Sequence, residues 1–262
     1  MPPHPTPGLA HSTSGSGERL VLVHGFTQSS GSFRPIATEL AKAYEVCAVD
    51  LPGHGGSVDV SAGDLSATAE LLGRTGHTAT YLGYSLGGRV CLTLAHRRPD
   101  LVRRLILVSA TDGIENVAER SARREADERL ADRLDPPNGT GETLEPFLDE
   151  WLSQPLFAHL TAHAQDRGSR LVNTPAGLAR SLRTTGTGTQ IPSGDRLGSL
   201  TMPVLLVTGS NDAKFTTIAR AMADRIGVNA TVGVLAGLSH AAPFEAPDRF
   251  VTFVREWLER HP

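Results

Sequence analysis

The strongest constraint on the fold is a regular alternation of short apolar runs with amphipathic stretches. LVLVH (20–24), YEVCAVD (44–50), TATYLGY (78–84) and LILVSA (105–110) are near-continuous apolar runs, the mark of strands buried on both faces. Between them, 34–43, 61–74 and 86–97 space apolar residues at helical intervals. Such alternation makes a mostly parallel sheet covered by helices on both sides. It breaks over 113–199, a charged, helical stretch with joints at PPNGTG (136–141) and TTGTGTQIPSG (184–194) and no strand-like run. It resumes with PVLLVTG (203–209), a helix over 216–226, ATVGVLAG (230–237) and a last helix over 247–260. The simplest organisation is an α/β core from 18–112 and 200–262 carrying a helical cap at 113–199. Residues 1–17, rich in Pro, His, Ser and Gly, read as a flexible lead-in with one short strand near 9–11.

Composition narrows the chemistry. In 262 residues, 39% hydrophobic and 20% charged, there is ample material for a core. The net charge of −3 and the lack of a long basic block speak against nucleic acid as partner. No run approaches the roughly 20 apolar residues of a membrane span. The N-terminus shows no basic start followed by an apolar stretch, so a cytoplasmic protein is expected. Cys47 and Cys91 cannot make a multi-bridge framework or a four-thiolate zinc site, and they read as buried apolar residues. No histidine and carboxylate spacing suggests a metal, and no cofactor is expected. An oligomeric state is not legible.

The third run leads into GYSLGG (83–88) and a helix, the G-x-S-x-G pattern of a strand turning so tightly that Ser85 projects from the bend. Gly83 and Gly87 suit a turn that leaves no room for a Cβ, and Gly88 lets the helix approach the sheet. An ordinary serine in a Gly-rich turn is the competing reading. A nucleophilic serine needs a histidine base and an orienting carboxylate, which in such a fold follow in the order Ser, Asp, His. Asp212, in GSNDAKF, and His240, in AGLSHAAPFE, come after the last two strands, at the sheet edge where open α/β sheets place ligands. HGF (24–26) follows the first strand, where the backbone N–H of Phe26 can converge with that of Leu86 into an oxyanion site. His54, in LPGHG, is expected to buttress the neighbouring loop.

HGF, DLPGHGGS (50–57) and GYSLGG together resemble the α/β-hydrolase superfamily, which implies that fold but little about the reaction. A narrower resemblance rests on GYSLGGRV (83–90), NVAERSARREADERLADRL (116–134), WLSQPLF (151–157), SLRTTGTGTQ (181–190) and NDAKF (211–215). These look like the 2-succinyl-6-hydroxy-2,4-cyclohexadiene-1-carboxylate synthases of menaquinone biosynthesis, lyases that eliminate pyruvate from a 5-enolpyruvyl-cyclohexene precursor. The resemblance implies a polycarboxylate small-molecule substrate, with Arg89, Arg123 and Arg170 at substrate-binding positions and Tyr84 and Trp151 beside them. Arginine suits that task because its planar fork binds both oxygens of a carboxylate.

The residues alone leave other readings open. Arg123 stands among five arginines and seven acidic residues over 115–135, the pattern of a solvated helix laced with ion pairs. Arg89 could be a surface helix residue, Trp151 part of a cap core and Tyr84 a strand-end packing residue. Two stretches depart from the family: Ser239 and Pro243 replace a glycine and a second histidine around His240, and PSGDRL (192–197) replaces an apolar pair. The mechanism that the resemblance implies is proton abstraction through Ser85 followed by elimination. A serine hydrolase of esters or of C–C bonds beside a ketone would carry the same three residues. A non-catalytic receptor of this fold would be free to lose one of them.

Overall fold

The computed structural model describes residues 8–162 and 164–262. Seven strands form one sheet: β1 (His11–Ser14), β2 (Glu18–Val23), β3 (Tyr44–Val49), β4 (Ala79–Tyr84), β5 (Val102–Val108), β6 (Val204–Gly209) and β7 (Ala230–Leu235). Their order is β1-β3-β2-β4-β5-β6-β7, and every pair is parallel except β1 with β3.

Successive side chains point to opposite faces of the sheet, so residue parity decides the layer. Val21, Val23, Cys47, Val49, Tyr81, Leu105 and Leu206 face one layer. It is closed by α2 (Leu65–Gly76), α3 (Leu86–Arg97) and α8 (Ala213–Ile226) through Leu72, Val90, Leu94 and Met222. Leu20, Leu22, Val46, Ala48, Leu82, Ile106 and Val207 face the other. There α1 (Arg34–Leu40) and α10 (Pro247–Arg260) contribute Ile36, Leu40, Phe250 and Trp257.

Between β5 and β6 the described residues form α4 (Val117–Leu134), α5 (Leu144–Ser153), α6 (Arg167–Arg170), α7 (Pro175–Thr185) and short turns of 3₁₀-helix, with no strand. This segment has a core of its own, built from Ala131, Leu134, Phe147, Leu148, Leu178 and Leu182. Phe26 and Trp151 pack against that core and join it to the sheet body. One short helix, α9 (Ala242–Glu245), precedes α10.

Two sequence expectations shift. Part of the N-terminal stretch is sheet: β1 runs over His11–Ser14, displaced from 9–11, and pairs with β3 through Thr13 opposite Cys47. All four of its residues are exposed, so its place comes from backbone pairing at the sheet edge and not from side-chain burial. Residues 1–7 lie outside the described residues. The helix expected from 216 begins at Ala213, because the side chain of Asp212 caps it.

Candidate active site

Ser85 joins β4 to α3 with φ 51° and ψ −108°, a left-handed conformation unusual for a residue with a side chain. Its N–H donates to Val108 O at 2.9 Å, and its carbonyl accepts from Arg89 N at 3.1 Å. The bend depends on absent side chains. A Cβ on Gly83 would stand 2.4 Å from the carbonyl of Gly87, and one on Gly87 would stand 2.1 Å from Val23 O. A Cβ on Gly88 would meet that of Ala110 at 2.5 Å.

Asp212 follows β6 and is both a helix cap and an ion-pair partner. One carboxylate oxygen accepts from Phe215 N at 3.2 Å, and the other lies 2.8 Å from His240 Nδ1. His240 is buried among the rings of Phe215 at 4.4 Å and Tyr84 at 5.6 Å. Its carbonyl accepts from the Ser109 hydroxyl at 2.8 Å. Ring and backbone are thus held separately, and His240 shares a cavity with Ser85.

The loop after β2 is equally fixed. His24 donates from Nδ1 to Gly25 O at 2.8 Å and accepts the Leu51 N–H on Nε2 at 3.0 Å, which assigns its tautomer. Burial lowers the pKa of His24 below the ordinary histidine value. A Cβ on Gly25 would strike the Tyr84 ring at 2.8 Å. The N–H groups of Phe26 and Leu86 have no acceptor among the described residues. His54 lies edge-on to Phe26 at 5.9 Å, and burial, with His24 beside it, pushes its pKa down to about 3.

Two joined chambers open onto Ser85. The inner one, about 190 Å³, is walled by Phe26, Tyr84, Trp151, Phe157, Arg170 and His240. The outer one, about 420 Å³, lies between α8 and the first part of the cap. Ser85, Arg89, Arg123, Thr187, Lys214 and Phe215 line both. Arg170 is 2% exposed, donates to Gln165 O at 2.7 Å and is bonded to the Thr27 hydroxyl. Arg89 is 6% exposed and reaches Gln190 Oε1 at 3.5 Å.

Neither guanidinium has a carboxylate partner among the described residues, whereas buried Arg104, away from the chambers, is paired with Glu18. Burial lowers the pKa of Arg89 and Arg170 to about 10 in each case, and nearby Arg123 adds to the effect at Arg89. Both stay cationic at neutral pH, and a buried cation of that kind calls for an anion. The Trp151 indole N–H is also buried without an acceptor among the described residues.

Comparison with known proteins agrees with this architecture. The model of the alpha/beta hydrolase family matches residues 20–253. The chain belongs to the alpha/beta hydrolase family. Within it, this hydrolase-family chain is 33% identical over 211 residues to the 2-succinyl-6-hydroxy-2,4-cyclohexadiene-1-carboxylate synthase of Klebsiella pneumoniae, spanning 78% of this chain and 81% of that protein. The enzyme of the same name from Serratia proteamaculans is 32% identical, over 77% and 80% of the two chains. The structure of MenH from S. aureus superposes with a TM-score of 0.87 at 30% identity, covering 97% of this chain and 98% of that one. An esterase from Thermogutta terrifontis, 24% identical with a TM-score of 0.78, shares the fold.

In this alpha/beta hydrolase family member, all ten residues singled out from the sequence lie at or beside the two chambers, Asp212 one step back behind His240. Arg123 reconciles its two readings. It pairs with Asp127 at 2.8 Å in the manner of a solvated helix, and it still borders both chambers. Tyr84 and Trp151 likewise pack with Phe244 and Phe147 while walling the inner chamber. The sequence suggests for Lys214 and Phe215 only that they fix the loop carrying Asp212, with no chemical role, and it singles out nothing at Thr187; Phe215 packs on His240, and Lys214 and Thr187 lie at the chamber junction. The NDAKF motif was the available signal for the first two. Among the described residues no helix is long and apolar enough to cross a membrane.

Proposed function

We propose that this chain is a carbon–oxygen lyase of menaquinone biosynthesis. It would convert 2-succinyl-5-enolpyruvyl-6-hydroxy-3-cyclohexene-1-carboxylate into 2-succinyl-6-hydroxy-2,4-cyclohexadiene-1-carboxylate and pyruvate. The observation that carries this reading is the pair of buried guanidiniums, Arg89 and Arg170, which line the Ser85 chambers with no carboxylate paired to either among the described residues. A neutral ester would leave both charges unpaired. A substrate with ring, succinyl and enolpyruvyl carboxylates would not. The names of the related synthases support the same reading.

In this mechanism Ser85, His240 and Asp212 act as one unit. Asp212 holds the Nδ1 face of His240, so that Nε2 can draw the proton from Ser85. The serine oxygen takes the proton from the ring carbon that bears the succinyl ketone. The freed pair forms a double bond to the next ring carbon, the existing ring double bond moves one position, and the bond to the enolpyruvyl oxygen breaks. Enolpyruvate takes up a proton and leaves as pyruvate, with no acyl-enzyme. The Phe26 and Leu86 N–H groups, which have no acceptor among the described residues, hold the enolate oxygen in this reading. Arg170 takes a carboxylate in the inner chamber, beside Tyr84 and Trp151, and Arg89 and Arg123 take one at the junction.

The test is to generate the cyclohexene precursor in situ and follow pyruvate release and diene absorbance together. Fast coupled release in wild type, lost in Ser85→Ala and Arg89→Ala, is the expected result. No acceleration over the spontaneous background by folded protein, with turnover of short activated esters instead, would replace the lyase by a serine hydrolase.

A further inference from the structure

Of the 25 basic residues in this chain, only Lys42 and Lys214 are lysines. Lys42 is an ordinary surface residue, 2.7 Å from Glu39 three residues earlier. Lys214 is different. It borders both chambers, and among the described residues it has no ion-pair partner.

Its position does not serve the helix that carries it. Lys214 is the second residue of α8, just after the Asp212 cap, where a cation opposes the helix dipole. Its backbone is nonetheless well placed for a ligand. The next residue, Phe215, packs 4.4 Å from the His240 ring, so the first turn of α8 is fixed relative to Ser85 and His240. Of the other cations at the junction, Arg123 shares its charge with Asp127, and Arg89 has no such pair among the described residues. In the outer chamber Arg225 is bound to Glu115, with Asp112 at 3.7 Å, and Glu119 is the remaining carboxylate on the wall. An anion seated at the junction therefore meets Arg89 and Lys214, neither of which has a carboxylate partner among the described residues. A compact ammonium on a flexible stem suits a junction where the fork of Arg89 already occupies one side.

We propose that Lys214 is a substrate-binding residue, whose ammonium holds a carboxylate in the outer chamber while Arg170 holds another in the inner one. The inference rests on the polycarboxylate reading of the site. It adds a specificity determinant: the substrate must carry an anionic group on each side of Ser85.

The two lysines provide a test within one molecule. Wild-type protein is trace-acetylated with acetic anhydride, with and without tricarballylate, a flexible tricarboxylate, and the two lysine peptides are quantified by mass. At a probe concentration about tenfold above its Kd, labelling of Lys214 is expected to fall about tenfold while that of Lys42 is unchanged. Lys214→Ala is expected to raise KM for the cyclohexene substrate at least about tenfold with kcat largely kept, and Lys214→Arg to recover part of the loss. The alanine variant should melt ~1–3 °C higher, since it removes a cation from a helix N-terminus.

Equal labelling of Lys214 with and without probe, or protection without a change in KM, overturns the inference. Pyruvate release by wild type with an unchanged KM in Lys214→Ala sinks this inference alone. Protection of Lys214 in a protein that releases no pyruvate keeps the anion site and sinks the lyase.

Discussion

Asp212 and His240 are tied at 2.8 Å through Oδ2 and Nδ1, while the other oxygen of Asp212 caps α8 by accepting from Phe215 N. One side chain therefore fixes the imidazole and starts the helix that carries Lys214 and Phe215. The two duties separate on substitution. Asparagine caps a helix about as well as aspartate, so Asp212→Asn should keep stability within about 0.5 kcal/mol. It offers His240 no charge and permits the wrong tautomer, so pyruvate release should fall about 10³–10⁴-fold. Asp212→Ala should lose the activity and also about 1 kcal/mol in urea unfolding. An asparagine variant with near-normal turnover would remove Asp212 from the mechanism.

The buried guanidiniums should show a conflict between stability and function. Among the described residues the Arg89 guanidinium has one hydrogen bond, to the Gln190 amide oxygen at 3.5 Å, and Arg123 nearby lowers its pKa further. Arg89→Met keeps most of the volume and removes a desolvated charge, so Tm should hold or rise. The variant should lose about 10²–10³-fold in kcat/KM for the polycarboxylate substrate, the order expected when a buried charge loses its partner. A drop in Tm with normal kcat/KM would make Arg89 a structural residue.

The elbow is intolerant in a way its geometry specifies. Gly83→Ala places a Cβ 2.4 Å from the backbone of Gly87, where only main chain can yield. Relief means moving α3 away from β4 or turning Ser85 out of its φ of 51°. Loss of at least about 3–4 kcal/mol in urea unfolding is expected, in the range reserved for disrupted cores and backbones. A normally stable variant would show that the bend has slack.

Much of this site was legible because its chemistry is bound to chain order. A strand that must turn into a helix without side-chain room writes Gly83, Ser85 and Gly87 at fixed spacing, and the sheet places Asp212 and His240 at strand ends. What escaped has no such signature. Strand β1 is His-Ser-Thr-Ser with every side chain exposed, so only the free edge of β3 reveals it. Helix α4 has charge on nearly all sides, so spacing could not tell whether Arg123 faces solvent, Asp127 or substrate. The contact of Phe215 with His240 joins residues that no local pattern connects. The depth of Arg170 likewise comes from its bond to Thr27, on a distant loop.

Acid sensitivity should be set in part by His54. The ring is fully buried between His24 at 4.9 Å and Phe26 at 5.9 Å, its Nδ1 lies 3.1 Å from Pro52 O, and its Nε2 has no partner among the described residues. Folding holds its pKa near 3, against the ordinary histidine value of 6.5 in the unfolded chain. Above pH 6.5 neither state binds the proton and His54 adds no pH dependence. As pH falls below 6.5 the unfolded chain takes up a proton that the native state refuses, so stability drops until about pH 3. The slope from this one group is at most about 1.4 kcal/mol per pH unit. His24, shifted in the same direction, steepens the same limb. In His54→Gln, which retains a donor for the Pro52 carbonyl, urea unfolding at pH 7, 6, 5 and 4 should show a shallower decline than wild type, whatever the offset at pH 7. Parallel curves would assign the acid limb to other groups.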